Sequence, residues 1–252
     1  MRRIEMSKMS LKQGIMAGML AVSLLAVNTT ALAEEATTGN DKPGTEASSK
    51  GYIKLTPNKG EESPEILVPK EEENEAPDDE TTSTGNKGPL TIDTISVLDF
   101  GSFELSGTTE IYSVSNKVEG IKTKKVQVTD RRGTGAGWTL KVKSSEFTDE
   151  TDTKKILKGA TLSFPKGRMD KTEGNTSAEP TKEDNVTLMT GDAEVKTFMT
   201  AAAGAGLGSW MNVMNSDEVK IEVPAGNLAG SYSATLEWSL ANIPTADTPT
   251  VD

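Results

Sequence analysis

Short segments in which apolar and polar residues alternate fill this chain from Pro89 to Ile243. Successive side chains of a β-strand point to opposite faces, so such alternation predicts strands that are buried on one side only. The last segment is the clearest case. Tyr232, Leu236 and Trp238 would share one face there, with Ser233 and Glu237 on the other.

The end of that segment has a counterpart about a hundred residues earlier. Trp238-Ser239-Leu240 matches Trp138-Thr139-Leu140, and the chain has only three tryptophans, the third being Trp210. Each Trp-x-Leu places an indole beside an isobutyl group on one strand face, which suits a core or a platform for a flat apolar ligand. The candidate site residues, as ligand contacts or as a structural signature, are Trp138, Leu140, Trp210, Trp238 and Leu240.

The other apolar segments are also short and are bounded by Gly, Asn, Asp or Pro. No segment carries a 3.6-residue apolar stripe over ten residues, so helices should be scarce. The pattern predicts an all-β fold, a single sandwich-like or barrel-like domain of short strands over residues 89–244. The predicted strands are 90–97, 109–114, 125–129, 137–143, 160–164, 186–189, 195–199, 219–223 and 231–240.

The residues outside this domain predict export. Residues 1–33 read as a signal peptide, with a basic start, an apolar run and Ala31-Leu32-Ala33 as a cleavage site. A retained amino-terminal anchor is the alternative. No second long apolar stretch follows, which argues against direct membrane insertion after cleavage.

Residues 34–88 are rich in acidic residues, Thr, Pro and Gly, which predicts a disordered linker. An apolar island at 52–56 is either a strand added to the domain edge or part of the linker. Limited proteolysis should then leave a core that begins between residues 80 and 90. Residues 245–252 form a short polar tail.

Composition excludes several classes of function. The chain has no Cys and no His, which removes Ser-His-Asp and Cys-His catalysis and His-ligated zinc. The leader has four basic residues and one acidic residue, so cleavage lowers the net charge from −11 to −14. Such a protein is a poor partner for nucleic acid, and its binding to any anionic surface must come from stacking and hydrogen bonds rather than from charge.

Three weaker motifs indicate surface structure rather than chemistry. The Gly/Ala-rich residues 201–209 lack the Gly-Lys-Ser/Thr ending of a phosphate loop, which favours a flexible loop that brings Trp210 to the surface. Residues 148–152 are acidic but lack the glycine and closing glutamate of a calcium loop. Arg131 and Arg132 are predicted to form a basic turn between strands. No carboxylate pair stands out as glycosidase-like, and no cofactor or metal is predicted.

Taken together, these residues resemble the WxL domain of low-GC Gram-positive surface proteins. The stretches that carry the resemblance are 88–93, 98–101, 130–140, 157–160, the Gly/Ala loop before Trp210, and 230–240. They cover residues 89–244.

The resemblance implies a non-enzymatic protein that is secreted and attached non-covalently to the cell wall, with peptidoglycan or another cell-wall glycan as ligand. It also implies a membrane-anchored partner that binds the WxL domain. Two alternatives stay open: a protein-interaction subunit held on the surface only through that partner, and a secreted carbohydrate-active enzyme.

Overall fold

The structure is a computed structural model that describes residues 49–69, 72, 81–115 and 122–242. The chain divides into two compact units, and the second, Ile53–Asp252, contains every described strand. The predicted signal peptide (1–33) and polar tail (245–252) lie outside the described residues. Within the described ranges, no helix is long and apolar enough to cross a membrane.

The described residues form fifteen short strands, and all the pairings between these strands are antiparallel. One 3-10 turn, Ser216–Glu218, separates β12 from β13. The strands are β1 Thr81–Ser83, β2 Leu90–Ser96, β3 Glu110–Ser113, β4 Thr123–Asp130, β5 Trp138–Ser144, β6 Thr148–Asp149, β7 Thr161–Phe164, β8 Arg168–Lys171, β9 Thr181–Lys182, β10 Val186–Met189, β11 Lys196–Ala201, β12 Gly208–Asn215, β13 Lys220–Val223, β14 Tyr232–Ser233 and β15 Leu236–Ala241.

These strands build four sheets. Sheet A has the order β1-β2-β4-β12-β8, sheet B has β10-β7-β13-β3, and sheet C has β15-β5-β11-β9. A two-stranded ribbon, β14-β6, completes the fold. The prediction of an all-β fold is confirmed, and each of the nine predicted segments overlaps a strand.

One predicted loop is corrected. The flexible loop expected to bring Trp210 to the surface instead leads into β12, one of the two longest strands, where Trp210 is only 1% exposed. Glycine weakens the interior of a strand, so the glycines of residues 201–209 predict a loop. In the structure Gly204, Gly206 and Gly208 have positive φ angles and form a tight entry to that strand.

Sheets A, B and C share one apolar core. Each sheet contributes alternate residues, as expected for strands that are buried on one face. The largest contributions are Val126, Val128 and Met214 from sheet A, Leu162, Phe164 and Ile221 from sheet B, and Trp138, Leu140, Val142, Phe198 and Met199 from sheet C.

The opposite face of sheet A carries polar side chains together with the buried Met211 and Val213, and residues 58–69, here called the covering segment, lie over it. Gln127, fully buried on β4, donates from Nε2 to the Glu65 carbonyl and accepts at Oε1 from the Leu67 N–H, both at 2.8 Å. The Asn58 N–H donates to the Arg131 carbonyl at 3.1 Å. Beyond the covering segment, Glu72 forms a buried ion pair with Lys125 and accepts from the Thr123 hydroxyl.

These contacts differ from the disordered linker predicted for residues 34–88. The covering segment and β1 both lie in that range and both contact sheet A. The covering segment contains one short apolar run, residues 66–68, in which Ile66 and Leu67 are partly buried. Its backbone is also bound by hydrogen-bonding groups of sheet A, so an acidic, Pro-containing stretch is compatible with order here. At the apolar island no strand is assigned between residues 53 and 56, and Ile53 and Leu55 are exposed.

Candidate functional site

The two Trp-x-Leu motifs lie on neighbouring strands of sheet C. Strand β5 begins at Trp138, and β15 runs antiparallel beside it with Leu240 opposite Leu140 and Trp238 opposite Val142. Residues directly opposite in a ladder share a face, so all four apolar side chains of the motifs point towards the core. The sequence repeat therefore reflects a physical pairing between two strands about a hundred residues apart.

Trp138 is completely buried at the start of β5. Its Nε1–H donates to the carbonyl oxygen of Gly206 at 3.1 Å, so the polar atom of the indole is satisfied inside the core. Gly206 has a φ of 71°, and a Cβ at that position would lie 2.7 Å from the Trp138 Nε1 atom. The Gly/Ala-rich residues thus form the surface on which the Trp138 indole packs.

Trp210 is also buried, on the core-facing side of β12 opposite Val128. Its Nε1–H donates to the Leu207 carbonyl at 2.9 Å. The ammonium of Lys171 lies 5.4 Å from the centre of its ring, within the range of a cation–π contact.

Trp238 differs from the other two tryptophans because it is only partly buried. Its ring meets Phe198 edge-on, with centroids 4.9 Å apart and planes at 84°. Its Nε1 atom is shielded from solvent but has no hydrogen-bond partner among the described residues. Trp238 also borders a narrow crevice between sheets A and C, which is lined in addition by Ser96, Lys124 and Leu236.

The burial of these side chains bears on their predicted roles. Trp138, Leu140 and Trp210 expose almost no surface, so in this structure none of them offers a ring or side-chain face to a ligand. Trp238 and Leu240 are partly buried and pack against the same core. Direct ligand contact by any of the five stays a prediction, and their packing favours the structural reading of the motif.

Two arginines of the first motif region do more than form a basic turn. Arg132 binds the Asp130 carboxylate through Nε (3.0 Å) and Nη2 (2.7 Å), and its guanidinium also donates to the carbonyls of Gly137 and Asn242. It therefore joins the end of β4, the start of β5 and the end of β15. Arg131 donates from Nη2 to the carbonyls of Glu62 and Gly88. Most of these acceptors are backbone carbonyls, which leave no residue-type signal in the sequence from which this role could be predicted.

Sheet A contains a second polar centre, at Asp93. Its carboxylate accepts from the Thr91 hydroxyl (2.6 Å), the Thr129 hydroxyl (2.5 Å) and Gln127 Nε2 (2.9 Å). Burial raises the pKa of Asp93 above its ordinary value, and the three hydrogen bonds and Arg131 only partly offset that effect. Asp93 thus holds β2, β4 and, through Gln127, the covering segment together.

The acidic turn at residues 148–152 is satisfied from within the protein. Asp149 Oδ1 accepts from the hydroxyl and N–H of Thr151 and from the Asp152 N–H, and Oδ2 pairs with Lys155 at 3.1 Å. The Thr151 hydrogen bonds, followed by the one from Lys155, hold the pKa of Asp149 well below its usual range. Across the described residues, no group of three or more acidic, His or Cys side chains is placed to hold a metal ion.

An open cleft of about 450 Å³ lies at one end of sheet C, where β5 and β15 meet the loop between β10 and β11. Its lining is mostly polar, and includes three carboxylates and one ammonium. The Lys143 ammonium pairs with the Glu237 carboxylate at 2.9 Å across the β5–β15 ladder. The lining residues are Lys143, Ser144, Ser145, Glu146, Gly191, Asp192, Ala193 and Glu237.

These features define a class of protein: an all-β domain in which two Trp-x-Leu motifs lie on neighbouring strands of one sheet, with an open polar cleft at the end of that sheet. Comparison by sequence gives the family. Residues 42–244 match the family described as WxL domain surface cell wall-binding, and the chain belongs to that family. No curated protein and no solved structure matches the chain.

Proposed function

We propose that this chain is secreted and held non-covalently on the Gram-positive cell wall, with peptidoglycan or another wall glycan as its ligand. The observation that carries the proposal is the match to a surface cell wall-binding family over residues 42–244. The predicted signal peptide supplies the route to the surface.

We assign the wall contact to the cleft at the end of sheet C. Its volume of about 450 Å³ is in the range of protein sites for small ligands, about 300–1,000 Å³. The hydroxyls of Ser144 and Ser145 and the carboxylates of Glu146 and Glu237 are groups that hydrogen-bond to sugar hydroxyls and amides. In this arrangement the buried tryptophans hold β5 and β15 in place, and the polar residues beside them meet the ligand.

The charge of the cleft narrows the choice of ligand. Glu146, Asp192 and Glu237 provide three negative charges against the single positive charge of Lys143. Like charges repel, so the cleft disfavours phosphate-bearing wall polymers. It suits uncharged sugars and the amino groups of wall peptides.

The test is sedimentation of the secreted chain with purified cell walls that have been stripped of anionic polymers. The variant Ala193→Trp fills the cleft from an exposed position. It should lose most of the bound fraction while keeping its melting temperature. The control Ala225→Trp changes an exposed residue that does not line the cleft and should bind as the unmodified chain does. Equal binding by both variants would exclude the cleft.

The alternative is indirect attachment through a membrane-anchored protein partner. Strand β15 is the end strand of sheet C, and an end strand offers backbone groups to which a partner strand can be added. Walls from cells with and without their membrane proteins separate the two cases. If wall binding requires the membrane proteins and is unchanged in Ala193→Trp, the result supports attachment through the membrane-anchored partner.

We also propose that the chain is not an enzyme. The matching family is described by wall binding and not by a reaction. A glycosidase acid needs a carboxyl group with a raised pKa in a cleft, and the described carboxyl group with a raised pKa, that of Asp93, is buried in sheet A and does not line the cleft. Release of reducing sugar ends from purified peptidoglycan by the pure chain would overturn this conclusion.

A further inference from the structure

Strand β3 is an exposed end strand with apolar side chains along it. It is the last strand of sheet B, and in the described ranges no strand pairs with its outer side. Ile111 is 60% exposed. Tyr112 points to the opposite face, where Phe103 stacks on it with ring centroids 3.9 Å apart and remains 56% exposed. End strands of this kind are usually protected by lysine, proline or a covering element.

Residues 53–55, here called the donor segment, have the complementary properties. Ile53 and Leu55 are 85% and 84% exposed, and the segment pairs with no strand in the described part of the chain. It is held in place immediately downstream, where the Asn58 N–H donates to the Arg131 carbonyl. Ile53 and Leu55 are two residues apart, so in an extended strand both would lie on one face and offer an apolar surface to a second strand.

The charges of the two surfaces are opposite. The donor segment contains Lys54 and is followed by Lys59, with no acidic residue from 53 to 60. The region from 97 to 113 contains Asp99, Glu104 and Glu110 and no basic residue. Glu110 accepts from the Ser106 and Thr108 hydroxyls at 2.7 Å, and these bonds lower its pKa, so its carboxylate stays ionised.

We propose that the donor segment of one copy of this chain adds as a strand to β3 of a second copy. With Ile53 opposite Ile111 in an antiparallel pair, the next pair along the ladder is Lys54 opposite Glu110. Ile53 then packs on the Ile111 face, and Lys54 meets the carboxylate on the other face. Backbone hydrogen bonds supply the binding, and the side-chain pairs fix the register. Every copy carries both surfaces, so the contact can join more than two copies.

The first experiment is sedimentation velocity of the secreted chain across a micromolar concentration series. The unmodified chain should associate reversibly with increasing concentration. Ile53→Glu removes the donor surface and Ile111→Glu removes the acceptor surface, so each should sediment as a monomer, with an apparent Kd raised by about tenfold or more. Both positions are exposed, and unchanged melting curves would show that each variant folds.

The decisive experiment mixes the donor variant Ile53→Glu with the acceptor variant Ile111→Glu. A one-to-one mixture of the two variants restores one intact donor and one intact acceptor, and should form a heterodimer and nothing larger. Likewise, Lys54→Glu and Glu110→Lys should each weaken association, and their mixture should recover it. Met189→Glu is the matched control, since Met189 is 61% exposed on β10, the opposite end strand of sheet B.

Three outcomes overturn the proposal. The first is an unmodified chain that stays monomeric over the whole series, and the second is a mixture of variants that stays monomeric. The third is a Met189→Glu control that loses association as fully as Ile111→Glu. Because the cleft lies in sheet C, wall binding by the monomeric variants is measured independently of this result.

Discussion

The inner face of sheet C and the outer face of sheet A are both buried, but polar groups contribute far more to the outer face of sheet A, where they lie beside Met211 and Val213. Sheet C packs Trp138, Leu140 and Phe198 into an apolar core. Sheet A uses Asp93 and Gln127 to hydrogen-bond its own strands and the covering segment. Apolar burial is non-directional and tolerates small shifts, whereas a buried polar network is stable only if its members are satisfied. Mutations should therefore affect the two regions in different ways.

The largest expected effect is in sheet C. Trp138→Ala removes a fully buried indole, and loss of a buried Trp costs about 3–5 kcal/mol. Urea denaturation should show the loss as a lower midpoint with an unchanged slope. Trp238→Ala, at the partly buried partner position, should lose less. An unchanged midpoint for Trp138→Ala would contradict the structural reading of the motif.

The next effect concerns the glycine that packs on Trp138. In Gly206→Ala the new Cβ would lie 2.4 Å from the Ala201 Cβ at a φ of 71°, so strain and overpacking should together cost about 2–4 kcal/mol. Gly204→Ala is the matched control: its φ is 82°, but nothing lies within 4 Å of its Cβ. It should cost only about 1–2 kcal/mol. Equal losses for the two variants would mean that contact with Trp138 does not matter.

In sheet A the sharpest test is Gln127→Ala, which leaves the Leu67 N–H and the Glu65 carbonyl without their partner. An unsatisfied buried polar group costs about 1–3 kcal/mol. Limited proteolysis should then cut the covering segment faster while the core stays resistant. In the unmodified chain, the described contacts protect residues 58–69. A first cut between residues 80 and 90 would instead support the boundary predicted from composition.

The two buried carboxylate centres should respond to pH in opposite directions. The pKa of Asp93 is raised on folding, so its contribution to stability is greatest below its ordinary value of 3.8 and falls as pH rises through the raised value. The pKa of Asp149 is lowered, so its contribution is present above 3.8 and falls as the solution becomes more acidic. Asp93→Asn and Asp149→Asn should each remove one of these trends from urea midpoints measured between about pH 3 and pH 7.

The smallest effect is expected at the cleft. Lys143 and Glu237 form an ion pair with side chains that are 40% and 59% exposed, and exposed pairs contribute about 0.2–1 kcal/mol. A double-mutant cycle with Lys143→Ala and Glu237→Ala should find a coupling in that range that decreases with added salt. A coupling well above it would mean that the pair is shielded from solvent.

The same contrast explains what the sequence could predict. Alternation revealed the strands of sheet C because Trp138, Leu140 and Val142 face an apolar core while Lys141 and Lys143 do not. It failed for the covering segment, whose partners are backbone carbonyls and the single side chains of Gln127 and Arg131. Its apolar run, residues 66–68, is too short and too isolated within an acidic stretch to predict burial, although Ile66 and Leu67 are partly buried in the structure.

The candidate site was predicted only in part. The repeat of Trp-x-Leu correctly singled out two strands that share a structural role. It could not distinguish burial from exposure, since a large aromatic side chain suits both. The cleft was not predicted, because its residues, including Ser145, Asp192 and Ala193, come from separate loops and share no spacing.

The covering segment also bears on the order in which the molecule can fold. Leu67 and Gln127 are 60 residues apart, and Glu62 and Arg131 are 69 apart. A ribosome releases the covering segment long before its partners, and long-range contacts of this kind form slowly because a large loop must close first. The first part of the domain to be made is thus among the last to be folded. Until β4 has emerged, the segment has neither Gln127 nor Arg131 to bind, and its contacts with sheet A cannot form.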